Sequence, residues 1–227
     1  MVSPGRPNGI LDEFEPENVA LALSQMGLVY VVLTSVDRDD LPDGGAAHIA
    51  ETIRRVKERL PDILVEVLIP DFQNDLEALE TVVRAAPDVV AHNVETTLRL
   101  TPSVRDPRAG YWQSLSVLRN VKKLDRGMYT KSSIMVGLGE TEEEVRQTMV
   151  HLRDADVDFL TVGQYLRPSR RHLEVKEFVS PAQFEAYSRM GEEMGFRHVA
   201  SGPLVRSSYR AGEFFIRSVI KHEPGLR

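Results

Sequence analysis

The feature that most restricts the fold of this chain is the regular alternation of short apolar runs with longer amphipathic stretches. The chain has five such runs of five or six residues, and most of them are rich in Val, Ile and Leu. This composition is typical of strands buried on both faces. They cover 29–34, 64–69, 88–93, 132–136 and 158–163, and a shorter run lies near 198–199. The stretches predicted to be helices cover 47–60, 76–86, 112–124, 142–155 and 181–194. The alternation predicts an α/β protein with a parallel sheet, either doubly wound or barrel-like.

The start of this series is irregular. Its first element is a helix predicted over 15–26, and the segment before it, 2–12, is rich in Pro and Gly and is predicted to be a loop. In a strand–helix series a strand is expected ahead of such a helix, so the series begins with the second element of a strand–helix unit. No linker divides the remainder, and we therefore expect one domain over 1–211 followed by a tail over 212–227.

Composition excludes several classes of function. The 227 residues contain no Cys, which excludes disulfides, thiolate nucleophiles and iron–sulfur ligands supplied by the chain itself. The net charge of −6 argues against general nucleic-acid binding, and the longest apolar run, 28–33, is far short of the ~18–20 residues of a membrane span. With no recognisable signal sequence, we expect a cytoplasmic protein without nucleic-acid or membrane partners. Residues 197–227 carry six Lys or Arg against two Glu, so this basic end either meets an acidic partner or is a solvated surface.

Polar residues follow several of the predicted strands, and the carboxyl ends of parallel strands are where functional sites collect. Asp39, Asp40 and Asp43 can act in a site or can form turns and helix caps. Asn93 and Glu95 are two residues apart and project in the same direction if the strand continues. This pair can hold the ammonium group of a ligand, or it can be purely structural.

Three further features each allow two interpretations. The glycine-containing loop 137–139 can offer backbone N–H groups to an anion, but it lacks the full dinucleotide and phosphate-binding motifs. Lys131 can form a Schiff base if it is buried as a free amine, or it can be an ordinary surface residue. Arg167, Arg170 and Arg171 are the best candidates for contacting an anion, or they form a solvated loop. The six His are scattered without metal-ligand spacing, which argues against a zinc site.

Six separated stretches at these strand ends carry a resemblance that no single one would establish. They are VVLTSVDRDDLPDGG at 31–45, EVLIPDF at 66–72, HNVET at 92–96, KSSIMVGLGET at 131–141, GQYLRPSRRH at 163–172 and FRHVASGPLVRSSYRA at 196–211. In this order they resemble the lipoyl synthase family, over nearly the whole chain from about residue 6 to residue 211.

The resemblance implies a radical S-adenosylmethionine enzyme on a partial parallel (β/α)6 barrel, a TIM-like fold whose first strand and cluster loop are missing here. Lipoyl synthases insert two sulfur atoms into C–H bonds of an octanoyl chain carried on a lysine of a lipoyl-carrier protein, in lipoate biosynthesis. The implied cofactors are S-adenosylmethionine and two [4Fe-4S] clusters, one that generates a deoxyadenosyl radical and one consumed as the sulfur donor. The implied partners are octanoylated lipoyl-carrier domains, on dehydrogenase E2 subunits and on the glycine-cleavage H protein.

The resemblance also implies roles for individual residues. Those expected around the methionyl part of adenosylmethionine are Thr34, Ser35, Asn93 and Glu95. Those expected on the nucleoside side or in the substrate channel are Lys131, Glu140, Gln164 and Tyr165. Ser207 matches the serine that ligates an iron of the auxiliary cluster, provided that the missing cysteines are supplied, and Arg206 is expected to support that catalytic site.

The absence of cysteine is a departure from the family, which carries two groups of three cysteines, one of them in a C-x3-C-x2-C loop. The chain can be a fragment or have a misassigned start, be one half of a split synthase with a separate cysteine-bearing N-terminal part, or be a noncatalytic relative. We expect that this polypeptide alone assembles neither cluster. A module that only binds adenosylmethionine or a lipoyl domain, and a cluster-free lyase using Lys131, remain as other classes. A missing first strand also predicts an exposed sheet edge, with lower stability and self-association.

Overall fold

The computed structural model of the chain describes residues 10–207 and Ile220. The expected boundary between domain and tail, at 211 and 212, lies outside the described residues, and so does most of the predicted N-terminal loop.

The described residues form one sheet of parallel strands. The strands are β1 (Tyr30–Thr34), β2 (Leu64–Leu68), β3 (Val89–Ala91), β4 (Tyr129–Val136), β5 (Phe159–Gln164) and β6 (His198–Gly202). They lie in the order β1-β2-β3-β4-β5-β6, every neighbouring pair is parallel, and the sheet is not closed. A doubly wound sheet reverses its strand order at a switch point, whereas this order is sequential. The sheet is therefore a partial barrel, with β1 and β6 as its outer strands.

Helices connect the strands in the predicted alternation. They are α1 (Glu15–Met26), α2 (Ala46–Arg59), α3 (Leu76–Arg84), α4 (Thr101–Val104), α5 (Tyr111–Leu124), α6 (Glu142–Asp154) and α7 (Pro181–Glu193). The predicted elements agree with the observed ends to within three residues, and α1 agrees at both ends. The short α4 and a 3-10 turn at Phe72–Asn74 are not predicted from the sequence. Within the described part of the chain, no helix is long and apolar enough to cross a membrane.

The two sides of the sheet have different contents, because successive strand residues point to opposite sides. On the outer side, two apolar clusters join the strands to α1, α2, α3, α5, α6 and α7. On the inner side, a smaller apolar cluster lies at the amino ends of the strands and consists of Tyr30, Leu64, Val89, Tyr129, Phe159 and Ile220. Above this cluster, the inner side carries buried polar side chains, among them Glu66 and Lys131.

Local sequence signals account for the ends of several helices. Thr141 and Glu144 form the predicted capping box at the start of α6, each side chain accepting from the other's backbone N–H. The Asp43 carboxylate accepts from the N–H groups of Gly45, just before α2, and Ala47, in its first turn, at 2.9 and 2.8 Å, so it helps to cap the helix. Gly27 ends α1 in the left-handed conformation with φ of 63°, which glycine adopts without steric cost.

Candidate active site

The middle of the inner side carries a buried ion pair. Lys131 Nζ on β4 lies 2.7 and 2.9 Å from the two carboxylate oxygens of Glu66 on β2, and the two side chains are 7% and 1% exposed. The Tyr30 hydroxyl also donates to the Glu66 carboxylate, and Lys131 Nζ donates to the Ser207 carbonyl oxygen at 2.8 Å. A Schiff-base nucleophile requires a free amine, whereas this ammonium is engaged by a carboxylate and a carbonyl. The geometry therefore gives no support to a lyase role for Lys131.

A second polar pair lies at the carboxyl end of β3. Asn93 Nδ2 donates to Glu95 Oε1 at 3.1 Å, so the two side chains do meet. They do so without the continuous strand that the prediction assumed, because β3 ends at Ala91 and Glu95 has a positive φ of 66°. The backbone of Glu95 continues along β4, because its N–H donates to the Ser133 carbonyl at 3.0 Å. Burial raises the pKa of the Glu95 carboxyl, while the hydrogen bond from Asn93 and the charge of Arg105 act in the opposite direction. The Glu95 carboxyl therefore has little contact with water, and it lies at the rim of the sheet.

A row of hydrogen bonds holds Arg105, whose charge acts on the Glu95 carboxyl. Arg105 Nη1 donates to Ser114 Oγ at 2.8 Å, and His92 Nε2 lies 3.0 Å from the same hydroxyl. The His92 Nδ1 atom lies 2.9 Å from the Ile69 carbonyl oxygen. Burial lowers the pKa of His92 and of Arg105. The sequence reasoning missed this row, although a serine on the fully buried face of α5 was a signal that it has a polar partner.

Thr34 and Ser35 lie elsewhere on the rim. Both are exposed at the carboxyl end of β1, and they line a cleft of about 300 Å³ between β1, α1 and α2. In the sheet, β2 lies between β1 and β3, so the structure does not bring these residues together with Asn93.

An acidic cleft of about 430 Å³ lies on the same rim. Asp39 accepts from Arg108 Nη1 at 3.0 Å, and Asp71 accepts from Gln113 Nε2 at 2.7 Å. Burial, together with the nearby charges of Asp39 and Asp71, raises the pKa of Asp37. Several of these carboxylates are thus engaged by the chain itself.

In the glycine loop after β4, two backbone N–H groups already have a partner. The N–H groups of Gly137 and Leu138 both donate to the Glu140 carboxylate, the second at 2.9 Å. The described conformation gives no support to the interpretation that this loop binds an anion, because a carboxylate from the same loop accepts from two of its N–H groups. Glu140, which the family resemblance places near the ligand, acts here as that internal acceptor.

Gln164 and Tyr165, at the end of β5, hold the following loop against the sheet. Gln164 Nε2 donates to the Glu177 carbonyl at 3.0 Å, and its Oε1 accepts from Val179 N at 2.9 Å. The Tyr165 hydroxyl donates to the Leu173 carbonyl at 3.0 Å. Both side chains are buried, and their polar groups serve the loop.

The three arginines of the predicted cluster have different environments. Arg167 donates to the carbonyl oxygens of Ser169, Arg170 and His172 and so stabilises its own loop. Arg170 and Arg171 are exposed on the surface of that loop.

The segment after β6 returns to the sheet. Arg206 Nη1 donates to the Val205 carbonyl at 2.7 Å, and Ser207 is half-buried with its carbonyl on Lys131. The rest of the predicted motif, Ser208 and Tyr209, lies outside the described residues.

The residues present do not form an iron–sulfur site. The chain contains no cysteine, and within the described ranges no group of three His, Asp or Glu is arranged to hold a metal ion. Iron–sulfur clusters are held by thiolates, so a cluster cannot be assembled from this chain's own side chains.

The sequential parallel sheet with a polar inner rim defines the class of protein. A family model described as the radical SAM superfamily matches residues 3–152, and the chain belongs to that superfamily.

Among curated proteins, the chain is 59% identical over 217 residues to the lipoyl synthase of Thermus thermophilus, covering 96% of this chain and 67% of that protein. It is 58% identical over 210 residues to the chloroplastic lipoyl synthase of Ricinus communis, covering 92% of this chain and 58% of that protein. The chain is a member of the lipoyl synthase family, and it spans about three fifths to two thirds of these relatives.

Solved structures support the same fold. The methylornithine synthase PylB matches with a TM-score of 0.61 at 17% identity, over 80% of this chain and 53% of that one. The hydrogenase maturase HydG of Carboxydothermus hydrogenoformans matches with a TM-score of 0.64 at 16% identity, over 81% of this chain and 45% of that one. At these identities the similarity concerns the fold alone.

Proposed function

We propose that this chain supplies the adenosylmethionine-binding and substrate-binding part of a lipoyl synthase. The reaction is sulfur insertion into an octanoyl group carried on a lipoyl domain, and the cysteine ligands of both clusters come from outside this chain. Identity of 59% to a lipoyl synthase over 96% of the chain supports the reaction class. The lack of cysteine supports the second half of the proposal.

The observation that carries the binding role is the Asn93–Glu95 pair. Its carboxylate is largely withdrawn from water, is oriented by an amide at 3.1 Å, and lies at the carboxyl edge of the sheet. Such a group accepts strong hydrogen bonds from the hydroxyl or ammonium donors that adenosylmethionine carries. The charge of Arg105 favours the ionised form of this carboxyl against the effect of burial, and the His92–Ser114 row keeps Arg105 in place. Bound adenosylmethionine supplies the deoxyadenosyl group of the family's radical chemistry.

The other residues take supporting roles in this proposal. Gln164 and Tyr165 shape one wall of the site by fixing the loop that follows β5. Thr34 and Ser35 are open to ligand at the end of β1. Ser207 offers a hydroxyl to the auxiliary cluster, and Arg206 supports the segment that carries it. The exposed Arg170 and Arg171 and the basic C-terminal region meet acidic lipoyl domains, on dehydrogenase E2 subunits or the glycine-cleavage H protein.

The binding role is tested by titration calorimetry with adenosylmethionine. We expect the wild-type chain to bind, and Glu95→Gln to bind about tenfold to hundredfold more weakly, because a charged hydrogen-bond acceptor is worth ~1.5–3 kcal/mol. Glu185→Gln, an exposed carboxylate on α7, is the matched control and keeps wild-type affinity. Equal affinity of the Glu95 variant and the wild type would refute the assignment.

The dependence on external cysteines is tested by anaerobic reconstitution with iron and sulfide. The chain alone is expected to gain no stoichiometric cluster absorbance and to form no deoxyadenosine. Adding a cysteine-bearing N-terminal part of a lipoyl synthase is expected to restore both. Cluster formation by the isolated chain would contradict the proposal. We place the reaction in the cytoplasm, although the plant relatives are named chloroplastic.

A further inference from the structure

The Glu66–Lys131 pair is expensive to bury. Its side chains are 1% and 7% exposed, and replacing such a pair by apolar residues is often neutral or stabilising. A buried pair is therefore weak evidence for stability, and the presence of this charged pair inside the fold points to a second role.

The third contact of Lys131 indicates what that second role is. Its Nζ donates at 2.8 Å to the carbonyl of Ser207, a residue 76 positions further along the chain. A neutral donor would make an ordinary hydrogen bond here, whereas an ammonium makes a charge-assisted one, which is about twice as strong. Glu66 neutralises that ammonium, and Tyr30 donates to the same carboxylate. Three strands thus cooperate to fix one backbone atom of the segment after β6.

A glycine on β5 makes room for the same segment. A Cβ added to Gly163 would lie 2.4 Å from the Val205 carbonyl oxygen, which is a severe clash with backbone. Any other residue at this position would push the segment away from the sheet. Gly163 and Lys131 therefore act on two neighbouring points of it, Val205 and Ser207.

We propose that Lys131, neutralised by Glu66, is a positioning residue that fixes the segment 203–207 against the inner side of the sheet and so sets the place of Ser207. This proposal deepens the function proposed above, since it concerns the segment that offers Ser207 to the auxiliary cluster. Lys131 on this proposal contacts neither adenosylmethionine nor substrate.

The first test is native-state trypsin cleavage, which reports opening of the segment at the Arg206–Ser207 bond. The variant is Glu66→Gln with Lys131→Met, which removes the donor to Ser207 without leaving a buried unpaired charge. We expect cleavage after Arg206, followed by intact mass, to become about tenfold to hundredfold faster, as the loss of one charged hydrogen bond predicts. Cleavage at the exposed Arg170 and Arg171 is the internal control and keeps its rate.

The second test separates the charge of Lys131 from its volume. In Lys131→Cys, alkylation is specific to one position because the natural sequence has no cysteine. The thiol is alkylated in urea with bromoethylamine or with bromopropane, and the chain is refolded. The two products have nearly the same length, but only the aminoethyl product carries an ammonium. We expect it alone to restore slow cleavage at Arg206.

Gly163→Ala tests the other contact and is expected to accelerate the same cleavage without altering any charge. A folded double variant that is cleaved after Arg206 at the wild-type rate would overturn the proposal, and so would equal rescue by the propyl group. None of these readouts needs adenosylmethionine or a cluster. Failure of the wild type to bind adenosylmethionine would overturn the proposed function and leave the cleavage result standing.

Discussion

Alanine substitutions at two glycines of the same loop separate backbone strain from contact. Gly137 and Gly139 have nearly equal φ values of +98° and +100°, in a region that L-residues rarely adopt. A Cβ on Gly137 would lie 2.2 Å from Gln164 Nε2 and 2.5 Å from the Glu177 carbonyl oxygen. A Cβ on Gly139 would meet only the Lys176 side chain, at 3.7 Å, an ordinary contact. The two variants therefore share the strain and differ in the clash.

The expected magnitudes follow from these distances. In each variant the unusual backbone conformation lowers the free energy of unfolding by ~1–3 kcal/mol. Gly137→Ala must also displace the Gln164 amide from Glu177, which leaves a buried donor unsatisfied at a further cost of ~1–3 kcal/mol. We expect Gly139→Ala to lower the free energy of unfolding by ~1–3 kcal/mol, and Gly137→Ala by ~2–6 kcal/mol.

Urea unfolding followed by circular dichroism measures both variants. With an m value of ~1–3 kcal/mol per molar urea, an extra loss of ~2 kcal/mol moves the midpoint by about 1 M. Near-identical midpoints for the two variants would refute the reasoning, since they would mean that Gly137 matters only for its backbone angle.

Three further outcomes are expected. Because burial raises the pKa of Glu95 above its ordinary 4.5, adenosylmethionine affinity should fall as pH drops through that raised value, and Glu95→Gln should abolish this dependence in calorimetry. Burial lowers the pKa of His92 below 6.5. As the pH falls, His92 is therefore protonated in the unfolded chain before it is protonated in the native chain. The free energy of unfolding should therefore fall below about pH 6.5, and less steeply in His92→Gln, as urea titrations at several pH values will measure. Thr141→Ala removes the cap of α6 and should cost ~1 kcal/mol, seen calorimetrically as a melting temperature lower by ~2–4 °C.

The regular elements could be predicted from the sequence because their signals are local. The apolar period, the Thr141 capping box and the glycine that ends α1 each act within a few residues, and all were recovered. The 3-10 turn at Phe72–Asn74 was missed because three consecutive non-glycine residues adopt positive φ there, of 49°, 52° and 64°. Asn74 is of a type that tolerates this conformation, but Phe72 and Gln73 are not, so the turn as a whole is imposed by the surrounding structure.

The candidate site was less predictable because its contacts are distant in sequence. The Asn93–Glu95 pair could be predicted because only one residue separates its members. The partner of Lys131 was not found, since Glu66 lies 65 positions away. A signal existed: Glu66 is a lone charge in an apolar run, and a charge buried in a strand requires a partner. The identity of that partner depends on sheet register, which a single sequence does not reveal.

The carboxylate of Glu140 has a consequence for ligand competition. It occupies the N–H groups of Gly137 and Leu138 from only three and two residues away, so it behaves as a permanently tethered ligand. Even a short flexible linker gives a tethered group an effective concentration of about a millimolar, and this tether is shorter and ordered. A dissolved phosphate would have to displace it and also bring a second negative charge beside it. An anion arriving from solution at this edge of the sheet therefore meets a competitor that is part of the loop itself, and only ligands that do not need the Gly137 and Leu138 amides avoid that competition.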